Sequence, residues 1–182
     1  MNAEIVWRPQ PRQAEFMRRP EPEALYGGAA GGGKSDALVI EALRQVEIPH
    51  YRGLIIRKTF PQLRELIDKT MRYYKPVFPK ARYNSSTHCW TFPSGAKIYF
   101  GSMNHAQDRY NYQGQAYDFI GFDELTHFTW EEYSYLLSRN RPNAQREALM
   151  RTALRRLLVL AALCLGVLLN KRKKDPRMAY KL

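Results

Sequence analysis

"LYGGAAGGGKSDALVIEAL", residues 25–43, places five glycines within positions 27–33 and follows them with a lysine, a serine and an apolar stretch. Glycine loses more conformational freedom on ordering than any other residue. A dense glycine run just before a helix-forming stretch therefore needs a reason. Gly28-Ala-Ala-Gly-Gly-Gly33-Lys34-Ser35 fits G-x-x-x-x-G-K-[ST]. In that pattern backbone N–H groups approach a polyphosphate closely, where a Cβ would stand in the way. A helix beginning near Gly33 or Lys34 adds its N-terminal N–H groups and its dipole. Gly28, Gly31, Gly32 and Gly33 then form the cradle. Lys34 reaches the β/γ-phosphates and the Ser35 hydroxyl holds Mg²⁺. The alternative is a flexible linker. Against it stands the context, a strand-like "ALYGG" (24–28) before the glycines and a helix pattern after them.

Outward from this loop, residues 34–46 carry Ala37, Leu38, Ile40, Ala42, Leu43 and Val46, an apolar set for a helix packed on a sheet. "RGLIIRK" (52–58) suits a buried strand. Residues 59–74 place Leu63, Leu66, Ile67, Met71 and Tyr74 at helical spacing, with Thr59 as cap and Pro61 in the first turn. "THCWTF" and "AKIYFGS" flank "PSG" and read as a hairpin turning at Pro93–Gly95. Residues 129–140 open with Thr129 and carry Glu132 three positions on, a capping box before another helix. Alternation of strands and helices predicts an α/β domain with a largely parallel central sheet.

A phosphate loop needs a second carboxylate for the metal and a group that orients or deprotonates the attacking water. "FIGFDE" (119–124) supplies both at the end of an apolar strand. Asp123 is the metal carboxylate and Glu124 the general base, provided that Glu124 sits where the strand turns out. The alternative is a pair of solvated acids capping the next helix.

Composition bounds the rest. With 182 residues, 45% apolar and 13% aromatic, the chain suits one globular domain. Cys89 and Cys164 provide neither a disulfide framework nor metal spacing, which points to a reducing compartment. The N-terminus shows no secretory pattern. The net charge of +12 is unevenly spread. Residues 1–138 hold 17 Lys+Arg and 15 Asp+Glu, a net of +2, and residues 139–182 hold 12 and 2, a net of +10. Whole-chain basicity is therefore no argument that the body binds nucleic acid.

At this point the sequence resembles the ATPase domain of the large terminase subunit, the DNA-packaging motor of tailed bacteriophages. The matching stretches are "PRQAEFM" (11–17), "LYGGAAGGGKSDAL" (25–38), "GLIIRKTFPQLREL" (53–66), "WTFPSGAKIYFGS" (90–102) and "YQGQAYDFIGFDELTHF" (112–128). The resemblance implies a P-loop NTPase fold, a three-layer αβα sandwich incomplete at its C-terminal side. It also implies ATP and Mg²⁺ as cofactors. Partners would be double-stranded DNA held by its backbone, the portal, a small terminase subunit and further copies in a ring, in the host cytoplasm and transiently at the procapsid portal. Residue by residue, Gln13 is the match for an adenine-contacting glutamine, with Gln10 a weaker one. Lys34, Ser35, Asp123 and Glu124 match the P-loop and acidic residues. An arginine finger is worth about 10³–10⁵ in rate. Arg109 is the first candidate and Arg57 the second, each with an ordinary salt-bridging arginine as the alternative. Thr126 and His127 are candidates to sense the γ-phosphate.

Beyond "SRNRPNAQ" the resemblance stops. The family's polar coupling strand, its lid and its nuclease domain have no counterpart. We therefore divide the chain into a partial ATPase domain (1–144) and a basic, apolar helical tail (145–182), and expect no nuclease activity. The apolar run 157–169 is shorter than the roughly 20 residues of a bilayer span. The tail reads as a recombined end of a truncated domain, ahead of an interfacial helix or a DNA-binding arm. A truncated, impaired motor and another helicase-like P-loop ATPase are the competing functions.

Overall fold

The computed structural model describes residues 6–19, 21–28 and 31–141, and the backbone of 156–160. The elements run α1 (Pro11–Met17), β1 (Glu23–Tyr26), α2 (Lys34–Ala42), β2 (Arg52–Arg57), α3 (Phe60–Val77), β3 (Arg82–Asn84), β4 (Cys89–Thr91), β5 (Lys97–Ser102), β6 (Phe119–Asp123), α4 (Trp130–Leu137) and β7 (Arg156–Leu160). Short 3₁₀ turns cover Leu43–Gln45, Ala106–Tyr112 and Leu125–His127.

The seven strands form one sheet in the order β1-β7-β6-β2-β5-β4-β3. β1, β7, β6, β2 and β5 pair in parallel, and β4 and β3 extend the sheet antiparallel. The apolar runs of β2 and β6 lie at its centre, buried on both faces as a covered parallel sheet requires. Their alternation divides the interior in two. Ile55, with Leu38, Leu66, Tyr74, Trp90 and Ile98, belongs to one core. Leu54 and Ile56, with Ile120, Phe122, Tyr133 and Leu136, belong to the other. Helices α2 and α3 supply the first layer and α4 the second, giving the three-layer arrangement.

Local signals explain the element ends. Thr59 precedes α3, and its N–H donates to Gln62 Oε1 at 3.3 Å. Thr129 and Glu132 close a full capping box on α4, at 2.8 and 3.2 Å. At Gly121 a Cβ would stand 2.4 Å from Leu38 Cδ1, so the missing side chain lets the helix after the glycine loop lie close on β6.

The tail departs from expectation. Residues 156–160, expected as part of a helix, form a strand between β1 and β6. A five-residue apolar run has no periodicity that separates a buried strand from a helix. Here the ladder groups of β1 and β6 need partners, and these residues provide them. The sheet is therefore uninterrupted where a missing strand was expected. The rest of the predicted tail, 145–155 and 161–182, lies outside the described residues.

Candidate functional site

The glycine loop sits at the C-terminal end of β1 and hands over directly to α2. Gly28, Gly31 and Gly33 have φ of +148°, +79° and +66°, in the region that side chains disfavour. Gly33 is the residue from which α2 starts. Lys34 is buried and folds back, its Nζ donating to the Gly28 carbonyl at 3.0 Å. The lysine thus spans the loop where an anion would be held.

Gln13 closes the loop from outside. Its Oε1 accepts from the Gln10 N–H at 2.7 Å, and its Nε2 donates to the Gly33 carbonyl at 2.8 Å. A Cβ on Gly33 would stand 2.4 Å from that Nε2. The sequence singled out Gln13 for adenine. The structure gives it a second task, bracing the turn that enters α2.

Facing the loop is the end of β6. Ser35 Oγ lies 3.4 and 3.5 Å from the two carboxylate oxygens of Asp123, although 88 residues separate them in sequence. Glu124 follows at φ +55°, a left-handed backbone that turns it off the strand. This meets the condition that the sequence set for a usable Glu124.

Arg57, at the end of the neighbouring β2, holds both acids. Its Nε lies 3.0 Å from Asp123 Oδ2 and its Nη2 2.9 Å from Glu124 Oε1, while Nη1 donates to the Gln62 carbonyl at 2.6 Å. Its side chain is 11% exposed and that of Asp123 4%. The other Glu124 oxygen, Oε2, meets His127 Nδ1 at 3.2 Å. Both Glu124 oxygens are therefore engaged within the chain. Burial pushes the Asp123 carboxyl above its ordinary range; the Arg57 charge opposes this and Glu124 adds to it.

Hydroxyl and carboxylate oxygens are the donors that Mg²⁺ prefers, with few protein ligands and the rest from phosphate and water. Ser35 and Asp123, side by side at the glycine loop, offer donors of this kind.

No ion pair among the described residues joins Arg109 to Asp123 or Glu124. Its Nη1 lies 2.6 Å from Glu131 on α4, and its guanidinium stacks 5.0 Å from the Tyr110 ring. Arg57, the second candidate, sits among the acids themselves. Sequence reasoning missed Lys58, whose Nζ lies 2.6 Å from the buried Glu132. That pair ties the end of β2 to the start of α4, so the segment 124–132 is fixed at both ends. It also missed Asp36, in the first turn of α2, which Tyr73 and Lys69 on α3 reach at 3.1 and 3.4 Å. Neither contact has a local sequence signal, because each joins residues that only the fold makes neighbours.

The chain's sequence and fold both have known counterparts. The family model "Terminase large subunit, T4likevirus-type, N-terminal" matches residues 25–154, which is 130 of the 182. The large terminase of a thermophilic bacteriophage aligns with TM-score 0.63 and 13% identity, covering 94% of this chain and 50% of that one. A variant of the Thermus phage P74-26 large terminase ATPase domain aligns with TM-score 0.59 and 19% identity over 88% of this chain and 68% of that one. The first of these proteins is also matched in complex with ATP-gamma-S, at TM-score 0.56, 12% identity and the same coverage of each chain. At these identities the alignments show the fold. The chain spans about half the length of that thermophilic phage terminase. No curated protein sequence matches it.

Proposed function

Because the chain belongs to the family of large terminase subunits, matched over its N-terminal part, we propose that it is the ATPase module of a phage DNA-packaging motor. In this reading it binds Mg-ATP and couples hydrolysis to translocation of double-stranded DNA into a capsid. The observation that carries the proposal is the convergence of Lys34, Ser35 and Asp123 around a glycine cradle, with Glu124 turned out beside it. Lys34 would leave the Gly28 carbonyl for the β/γ-phosphates. Ser35 and Asp123 would hold Mg²⁺, which when bound neutralises charge on the transferring phosphoryl group. Glu124 would orient and deprotonate the attacking water. Gln13 would present its remaining amide hydrogen to adenine while bracing Gly33. Arg109, partly buried beside the exposed Glu131, would serve as arginine finger to a neighbouring copy in a ring. The portal and a small terminase subunit complete the expected assembly, in the host cytoplasm and at the procapsid. Among the described residues no helix is long and apolar enough to cross a membrane.

A second reading has its own observation. The slot beside the P-loop strand is filled by β7, whose Leu160 pairs with Tyr26 on one side and Asp123 on the other. The sequence continues Ala161-Ala162-Leu163, with no polar side chain to follow the γ-phosphate. This favours a module that binds ATP but hydrolyses it slowly. Turnover by the parent chain and Glu124→Gln separates the readings. Turnover abolished by Glu124→Gln supports a working ATPase. Mg-ATP binding without turnover in either supports the impaired module. Equal, robust turnover in both contradicts the assignment of Glu124.

A further inference from the structure

Between Asp68 and Asp108 the chain carries no acidic residue. Residues 69–107 hold six cations, Lys69, Arg72, Lys75, Lys80, Arg82 and Lys97, and no Asp or Glu. The remainder of residues 1–138 then holds 11 cations (17 less 6) against 15 acids. The near-neutral body is thus an acid-free stretch of +6 set against −4 elsewhere.

The fold aligns part of this charge. Arg82 pairs with Thr91, Thr91 with Lys97 and Lys97 with Arg52, across the four neighbouring strands β3, β4, β5 and β2. Directly paired residues share a sheet face. The alternate positions Tyr83, Trp90 and Ile98 turn into or against the first core, so this row lies on the other face. Arg82, Thr91 and Lys97 are exposed. At a strand spacing of about 4.8 Å the row extends over roughly 14 Å. Arg52 closes it as a fixed charge, 5.2 and 5.4 Å from the Tyr99 and Tyr117 rings. Lys75, on α3, donates to the carbonyl of Ala81, the residue before Arg82 in the chain, at 3.1 Å. Ion pairs among the described residues include neither Lys75, Arg82 nor Lys97. Cys89 lies close enough to feel the row: burial raises its thiol pKa, and Lys97 and Arg52 pull the other way.

Cations side by side on a sheet face repel one another. An external polyanion converts that repulsion into attraction. Duplex DNA presents one charge per strand about every 3.4 Å of axis, so the roughly 10 Å from Arg82 to Lys97 lies along about three phosphates. Contacts of this kind position a duplex without reading its sequence.

We propose that the row of Arg82, Thr91 and Lys97, at the β3 edge of the sheet, binds the phosphate backbone of double-stranded DNA. The choice of duplex DNA rests on the packaging reading, whereas the row itself does not involve the nucleotide site. The test is fluorescence anisotropy of the full chain with two short duplexes of unrelated sequence, without nucleotide, across a salt series. Each of Arg82→Gln and Lys97→Gln lowers the slope of log K against log salt by about 0.9, and the pair by about 1.8. At 0.1 M salt the pair then weakens binding by roughly 60-fold. Both duplexes bind alike. Arg64→Gln, an exposed residue of α3 on the opposite layer, leaves the slope unchanged. A slope that survives the double substitution, in protein with the parental melting curve, overturns the proposal and assigns the binding to basic residues elsewhere. So do a strong preference for one duplex and the absence of binding. Mg-ATP binding and turnover measured on the same variants match the parent's, whatever its rate, which keeps this surface separate from the ATPase assignment.

Discussion

Replacing Arg57 by methionine removes the charge that holds the two acids and keeps most of the side-chain volume. Arg57 and Asp123 are both nearly buried, and three contacts of 2.6–3.0 Å converge on the guanidinium. Removing one partner of a buried ion pair costs about 3–5 kcal/mol, because the other charge is left uncompensated. Asp123 has a way to limit that cost, by taking up a proton. From the ordinary value of 3.8, protonation at pH 7 costs about 4 kcal/mol at 1.36 kcal/mol per pH unit. Burial already raises Asp123, so the penalty lies below that ceiling, at the low end of the range of about 3–5 kcal/mol. For a chain of this size that lowers Tm by roughly 6–12 °C. Urea melts of the parent, Arg57→Met, Asp123→Asn and the double variant measure it. The cycle should return a coupling of about 2 kcal/mol at pH 7, shrinking at pH 5 where protonation is easier. An Arg57→Met protein within about 0.5 kcal/mol of the parent, or strictly additive substitutions, would refute the reasoning.

Further outcomes follow from the same geometry. Gly33→Ala places a Cβ against Gln13 at a φ of +66°; it should cost about 1–2 kcal/mol in a thermal melt and weaken Mg-ATP binding in calorimetry. Lys58→Met leaves the buried Glu132 without its ion pair and should destabilise by about 3 kcal/mol, while Lys58→Arg restores most of it in the same melts. Leu158 lies within β7, paired with Ala24 and Gly121; Leu158→Pro should cost about 3 kcal/mol or more by urea denaturation. Burial raises Tyr117 to about 12, with Arg52 opposing. The folded state then favours the neutral phenol, so its contribution is intact below pH 10 and is lost as pH rises from 10 to 12. About 2–3 kcal/mol should disappear across that window, and Tyr117→Phe should flatten the decline.

Much of this site was legible because its determinants are local. The glycine pattern, Lys34, Ser35 and the strand-final acids announce themselves within short windows, and Thr59 and Thr129 mark helix starts three residues from their partners. What the sequence could not supply is pairing at a distance. Arg57 reads as a strand-end arginine until β2 and β6 are neighbours. Gln13 reads as a nucleotide contact, and its bond to the Gly33 carbonyl shows only once α1 and the loop are neighbours. Residues 156–160 read as helix because Leu and Val runs suit either state, and only the slot between β1 and β6 decides. Strand β3 is three residues long and has no apolar alternation to betray it.

If the loop at 28–35 is a working phosphate cradle, titration calorimetry of Mg-ATP should show Mg²⁺-dependent binding by the parent chain that is lost in Lys34→Ala, with both chains sharing one melting curve. Equal binding by the two chains, or none by a folded parent, would contradict it.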